Sequence, residues 1–385
     1  SDLKLYNDRN GFEKGNLFLK RVGELIEEYF PGDISCRQND DHYVVYTSHF
    51  DFENRLNQIN EEVGKLDERL KVEVKAGFYR LSALESTRRM VDKARYACST
   101  IRHHANKLLC EYDLKMHENY HLMQYVIHNI DRAVEQGWIK PFYQPVVYSQ
   151  TGELCGVEAL ARWDDPEKGL LPPSVFVPTL ENTKLIYKLD AAIIKRVCQD
   201  MRTNLDNNLP VVPCSVNFSR LDFELMDAVG VLEENIKEYN IPKELIHVEI
   251  TESALMDDTG LLVKAVNRLK AAGYALWLDD FGSGYSSLNV LKDFDFDVLK
   301  IDMLFLRNFA GSKKAKPLIE SVISMANKLG MRTLSEGVED QEEKDFLASV
   351  KCERLQGYLF GKPMRYEDLL SKINNRDFTI AKELI

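Results

Sequence analysis

The chain has no Cys-X-X-Cys pair, no apolar run near the ~18 residues a membrane helix needs, and no excess of positive charge. Each absence removes a class of protein. The seven cysteines, Cys36, Cys98, Cys110, Cys155, Cys198, Cys214 and Cys352, are odd in number and widely spaced. They read as reduced, mostly buried thiols of a cytoplasmic protein, not a disulfide framework or a zinc site. A net charge of −11 gives no overall field to attract long nucleic acid. A phosphorylated ligand therefore needs metal ions or a local cluster of donors. No signal peptide opens the sequence. It begins at Ser1, inside what reads as a folded unit, which is compatible with an upstream membrane or sensor segment.

What is present is an ordinary globular composition, 44% apolar and 10% aromatic over 385 residues. That length fits two domains, or a barrel plus a smaller unit. Residues 1–115 read as a small α+β unit, with helical spacing at 15–30, 52–70 and 86–105 and strand patterns at 33–48 and 71–81. Residues 116–138 read as a helical connector. From 139 to 385 the pattern changes. Eight strand-like runs recur at 142–149, 154–163, 213–219, 246–252, 275–281, 298–302, 332–339 and 354–360. Helical stretches at 185–205, 221–239, 260–272 and 312–330 lie between them. Alternating β and α units imply a parallel sheet, and eight strands imply a closed α/β barrel. Only "QTGE" separates the first two runs, too short for a crossover, so the first strand should run antiparallel to the second.

Nearly every run is apolar until its C-terminal part, where an acid, an amide or a lysine appears. These residues are Glu158, Asn217, Glu249 with Glu252, Asp279 with Asp280, Lys300 with Asp302, Glu336 with Glu339, and Gln356. A barrel gathers its strand C-termini at one mouth, where active sites are built. Taken singly, each acid reads more readily as a cap or a salt-bridge partner. The repeated placement carries the argument. Eight acids against Lys300 and Arg162 would be strongly destabilising without cations. An oxygen-only donor set suits magnesium, manganese or calcium, with ligands enough for two ions. Two such ions are the usual device for attack on a phosphodiester. Paired carboxylates in a barrel also fit a glycosidase, but that chemistry requires neither eight acids nor the lysine.

At these residues the chain resembles the EAL family of cyclic di-GMP phosphodiesterases. The naming triplet is Glu158-Ala159-Leu160 within "GVEALARW", followed in order by "VNFS", "EITE", "DDFGSGYSSL", "LKID", "EGVE" and "QGYLFGKPM". The resemblance spans roughly residues 140–370. It implies a TIM-like (β/α)8 barrel with an antiparallel first strand, and metal-dependent hydrolysis of cyclic di-GMP to linear pGpG with two Mg2+ or Mn2+ ions. By the same resemblance, Glu158, Asn217, Glu249 and Asp279 match ligands of a first metal, with Asp279 bridging. Asp280 and Glu336 match the second-metal side, and Lys300 the lysine that orients or deprotonates the attacking water. Glu252 matches the anchor of the "DDFGSGYSSL" loop, and Arg162 a substrate-phosphate contact. Gln356 matches a polar group of the site, and Asp302 and Glu339 match supports behind it. Ser283 stands where the family commonly has threonine and keeps the hydroxyl. The resemblance also implies a homodimer through the barrel, with that loop linking the dimer contact to the site.

The first unit resembles the GGDEF domain of diguanylate cyclases in degraded form. "LKLYNDRNGFEKGNLFL" follows that family's pattern, but the signature loop reads "NDDHY", Asn39 to Tyr43. Both glycines are replaced, so the backbone approaches a triphosphate less closely. His42 replaces the catalytic glutamate, Ser1 falls where a metal-binding aspartate would lie, and Phe30 takes the arginine position of the product-inhibition motif. These departures argue against cyclase activity. They leave an inert spacer or dimerisation unit, or a regulatory domain with a nucleotide or sensor partner.

Overall fold

The computed structural model describes residues 6–7, 9–39, 41–66, 72–80, 85–102, 104, 107–256, 260–282, 288–306 and 314–381. The chain forms two compact units, Ser1–Leu122 and Met123–Ile385. The first contains α1 (Phe12–Tyr29), β1 (Ile34–Asn39), β2 (His42–Tyr46), α2 (Phe52–Leu66), β3 (Ala76–Phe78), α3 (Thr87–Thr100) and β4 (Leu109–Glu111). The boundary between the units falls within α4 (Leu114–Glu135).

In the first unit β1 and β2 form an antiparallel hairpin, and β3 pairs in parallel with β4. One face of α1 meets one face of α2. Phe18, Val22, Leu25 and Ile26 pack with Ile59 and Val63, at the three- and four-residue spacing of amphipathic helices. The strand expected over 71–81 is much shorter, and β4 was not anticipated. Asn39 pairs with His42 at the hairpin end, and His42 contacts Asp41 at 3.0 Å. Phe30 lies under the Arg55 guanidinium, 5.7 Å from the ring centre. Ser1 and Asp40 fall outside the described residues.

The second unit is an eight-stranded closed barrel with one added edge strand. Its strands are β5 (Ile139–Tyr148), β6 (Leu154–Asp165), β7 (Gly169–Leu171), β8 (Cys214–Phe218), β9 (Ile246–Thr251), β10 (Ala275–Phe281), β11 (Val298–Ile301), β12 (Arg332–Ser335) and β13 (Arg354–Gln356). The order is β5-β13-β12-β11-β10-β9-β8-β6-β7, and β5 also pairs with β6, which closes the ring. As the short "QTGE" link requires, β5 runs antiparallel to β6, and it is antiparallel to β13 as well. The remaining neighbours in the ring are parallel.

The intervening helices are α5 (Pro173–Asn182), α6 (Ile186–Asp206), α7 (Arg220–Leu225), α8 (Ala228–Glu238), α9 (Glu252–Met256), α10 (Leu261–Ala271), α11 (Leu288–Asp293), α12 (Ala315–Lys328), α13 (Gln341–Ser349) and α14 (Tyr366–Asn374). Two runs are shorter than their apolar pattern implies: β12 stops at Ser335 and β13 at Gln356, so the polar residues beyond them leave the sheet.

Strand alternation then arranges the interior in layers. Val146, Cys155, Trp277, Val298 and Leu334 form an apolar cluster drawn from five strands. His247 stacks on Trp277 at 4.9 Å, and the Arg354 guanidinium lies 5.4 Å from the same indole. Two residues further along the same face come Glu249 after His247, Asp279 after Trp277, Lys300 after Val298 and Gln356 after Arg354, with Glu336 just past the end of β12. A dry layer thus floors a polar one at the C-terminal mouth.

Candidate active site

The polar layer is organised around Lys300. Its side chain is fully buried, and Nζ lies 2.6 Å from Glu249 Oε2, 2.8 Å from Glu336 Oε1, 2.9 Å from Asp279 Oδ1 and 3.6 Å from Glu158 Oε2. Four carboxylates contributed by four different strand segments therefore face one ammonium. Glu158 is also held by two amides: Asn217 Nδ2 donates to Oε1 at 2.9 Å, and Gln356 Nε2 donates to Oε2 at 2.6 Å.

Electrostatics divide the acids. Burial alone would lower Lys300, but Asp279, Glu158, Glu249 and Glu336 raise it well above the usual lysine range. Burial pushes Glu158 up, yet the Lys300 charge and the Gln356 and Asn217 donors bring it below the ordinary carboxyl value. Glu249 goes the other way. Burial, then the Glu158 charge, lift it well above that value, and its Oε1 is buried without a hydrogen-bond partner. Burial raises Glu336 to about 8 against the opposing pull of Lys300, and burial with Asp279 raises Asp280 to about 6.

Asp279, Asp280 and Glu336 each offer a carboxylate oxygen, all within 4.8 Å of one another. Asp279 points inward by alternation. Asp280 follows it because its backbone is left-handed, with φ of 57°, where the register of β10 against β11 slips. Gly282 continues the bend at φ of 93°, and a Cβ there would lie 1.9 Å from the Phe305 ring. Gly282 N–H donates to buried Glu252 Oε2 at 3.4 Å, so Glu252 holds the start of that loop. Ser283 to Ser287, the rest of the loop, lie outside the described residues.

These residues fit divalent cations. The donors are all oxygen or amide, the acids exceed the single ammonium, and Glu249 Oε1 and Gln356 Oε1 are buried with no hydrogen-bond partner.

The eight acids do not all converge. Asp302 caps the turn Met303–Phe305, its Oδ1 accepting from Leu304 N–H at 2.6 Å. Glu339 is exposed, beyond the end of β12. Arg162 is half-buried, donates to the Ala161 carbonyl, and lies 5.6 Å from the Phe142 ring centre. One group was missed. Gln144 on β5 pairs across the strand with Glu158, and its Oε1 accepts from Gln356 Nε2 at 3.2 Å. Because β5 is antiparallel, its mouth end is its N-terminal end, so a search of strand C-termini passes over it. The signal available was the "QTGE" hairpin itself, which sets Gln144 opposite Glu158.

The second unit is thus an α/β barrel with carboxylates gathered around one buried lysine at its mouth. The sequence model described as the EAL domain matches residues 127–363, and the chain is a member of the EAL domain family. It is 31% identical over 264 residues to the bifunctional diguanylate cyclase/cyclic di-GMP phosphodiesterase MucR of Pseudomonas aeruginosa, covering 69% of this chain and 38% of that protein. It is 34% identical over 230 residues to the cyclic di-GMP phosphodiesterase PA2567 of the same organism, covering 59% of this chain and 38% of that one. The chain thus matches well under half the length of these relatives. Among solved structures, the PaMucR phosphodiesterase in complex with c-di-GMP aligns at TM-score 0.59 and 32% identity, covering 64% of this chain and 99% of that one. No helix among the described residues is long and apolar enough to cross a membrane.

Proposed function

We propose that this chain hydrolyses cyclic di-GMP to linear pGpG at the barrel mouth, with two magnesium or manganese ions as cofactors. The observation that carries the reading is the packing of Glu158, Glu249, Asp279 and Glu336 around Lys300, with Asp280 turned in beside them. Glu158, Asn217, Glu249 and Asp279 would hold one ion, and Asp280 and Glu336 would hold the second. When bound, the pair lowers the pKa of coordinated water and neutralises charge that builds on the phosphate oxygens.

The chain's own groups do the rest. Lys300 orients the attacking water, and its high proton affinity keeps it a cation that also stabilises an anionic phosphorane-like transition state. Arg162 meets a substrate phosphate, Gln356 fixes Glu158, and Glu252 sets the loop after β10. Asp302 and Glu339 support the mouth from behind. Names of relatives and the c-di-GMP complex of the PaMucR structure support this choice of substrate.

Residues 139–385 form the catalytic domain in this reading and residues 116–138 the connector. Residues 1–115 form a degenerate GGDEF-like unit with a regulatory or structural role. The protein works in the cytoplasm as a homodimer joined through the barrel, which solution mass with and without ligand tests.

Incubation with cyclic di-GMP and Mg2+ or Mn2+, followed by chromatography, should yield pGpG. Tight binding with no turnover would overturn the enzyme and leave a cyclic di-GMP receptor.

A further inference from the structure

We propose that His117 and His121 on α4 form a separate cation site, for a borderline transition ion such as Zn2+, Ni2+ or Cu2+. The two histidines are four residues apart on a regular helix, which puts them on one stripe. Their ring centres are 4.3 Å apart and the rings cross at 74°. Two imidazoles one helical turn apart can chelate a single ion without any change in the backbone.

A second observation points the same way. Tyr112, which is buried, holds its hydroxyl 3.2 Å from His117 Nδ1. With Nδ1–H donating to that oxygen, Nε2 carries the free lone pair, and the ring is held by an oxygen on its far side. Metal-bound histidines have this arrangement, the unligated nitrogen donating to an oxygen that fixes tautomer and orientation. The Tyr112 ring crosses the His117 ring edge-on at 6.1 Å, and Tyr120 stands 6.0 Å from His121, so aromatic walls limit how far either imidazole can turn. His117 is half-buried and His121 exposed, which leaves an open side for the ion to enter and for water to complete its shell. Asp113, just before the helix, is engaged elsewhere, its Oδ1 taking the Met116 N–H at 2.7 Å, so water completes the shell.

The donor chemistry separates this site from the barrel. Imidazole nitrogen suits zinc, nickel and copper, whereas the all-oxygen set at the mouth suits magnesium and manganese. An ion here would clasp one turn of α4 just before the boundary between the two compact units, and so stiffen that part of the helix. The site makes no use of the proposed hydrolysis and stands if that reading fails.

The test is a Zn2+ titration of the full chain, with histidine rings labelled with carbon-13 and Mg2+ in excess. The ring signals of His117 and His121 should shift together and saturate at one equivalent. His121→Gln should remove both shifts, Tyr112→Phe should weaken binding by about tenfold, and His128→Gln should change nothing. Zn2+ that moves neither ring, that moves only one, or that moves His117 unchanged in the His121→Gln protein would overturn the proposal.

Discussion

Asp279 and Asp280 are adjacent in the chain, yet both bring a carboxylate oxygen within 4.8 Å of one on Glu336. Neighbouring strand residues normally face opposite sides of a sheet. The left-handed backbone of Asp280 cancels that alternation. Asp279 keeps its inward direction, and Asp280 is swung to the same side where β10 ends.

This geometry predicts different outcomes for two substitutions. Asn tolerates a left-handed backbone, so Asp280→Asn should fold with near-normal stability but bind Mn2+ more weakly. Asp280→Val should in addition lose about 1–2 kcal/mol of stability, the cost of forcing a β-branched residue into that conformation. Urea denaturation and calorimetric Mn2+ titration separate the two effects. Equal stability of the variants would remove the strained backbone from the account.

Among the described residues, Lys300 is the one ammonium within reach of Glu158, Glu249, Asp279 and Glu336. Lys300→Met should destabilise the chain by ~3–5 kcal/mol in chelator, because it leaves buried acids without their cation. Added Mg2+ should recover part of that loss by neutralising the same groups. Denaturation curves with and without Mg2+ check both statements, and the variant should have lost turnover in either condition.

Glu158 accepts from Asn217 and Gln356, and Gln356 in turn meets Gln144. Glu158→Ala should abolish hydrolysis. Gln356→Ala removes only the support behind the carboxylate and should lower metal affinity by roughly 10–100-fold. Gln144→Ala acts one bond further away and should have the smallest effect. Metal titrations of turnover rank the three, and any other order would dissolve the chain of support.

A pH effect follows from a carboxyl pair outside the mouth. Asp222 of α7 is buried, accepts from Ser219 N–H at 2.7 Å and meets Asp190 of α6. Burial raises Asp222 to about 7, and burial with the Asp222 charge raises Asp190 well above its ordinary value, with Glu181 adding to both. The folded chain therefore holds a proton that the unfolded chain releases near pH ~4. Stability contributed by this pair falls as pH rises through that window and levels off above the folded value. Asp222→Asn should weaken the dependence without abolishing it, because Asp190 stays buried, and its stability relative to wild type should improve by roughly 2–3 kcal/mol between pH 5 and pH 8. Urea unfolding at the two pH values measures it. A difference that does not change with pH would mean that the pair does not share a proton.

The barrel was legible in the alternation of runs, and the reversed first strand in the four-residue "QTGE" link, because connection length restricts strand direction directly. Glu158, Asn217, Glu249, Asp279, Lys300, Glu336 and Gln356 could be picked out because parallel strands put their C-termini at one mouth. Gln144 escaped the same rule because its strand runs the other way. Two of the eight acids lie past the ends of their strands: Asp302 caps the turn after β11 and Glu339 is exposed, because β11 and β12 end before them.

Sequence alone, then, determined the eight strands of the barrel and the direction of β5, since both follow from local pattern and loop length. Only the tertiary structure decided which acids share the lysine, and that His117 meets Tyr112. These depend on through-space distances and on burial, and neither is set by spacing along the chain.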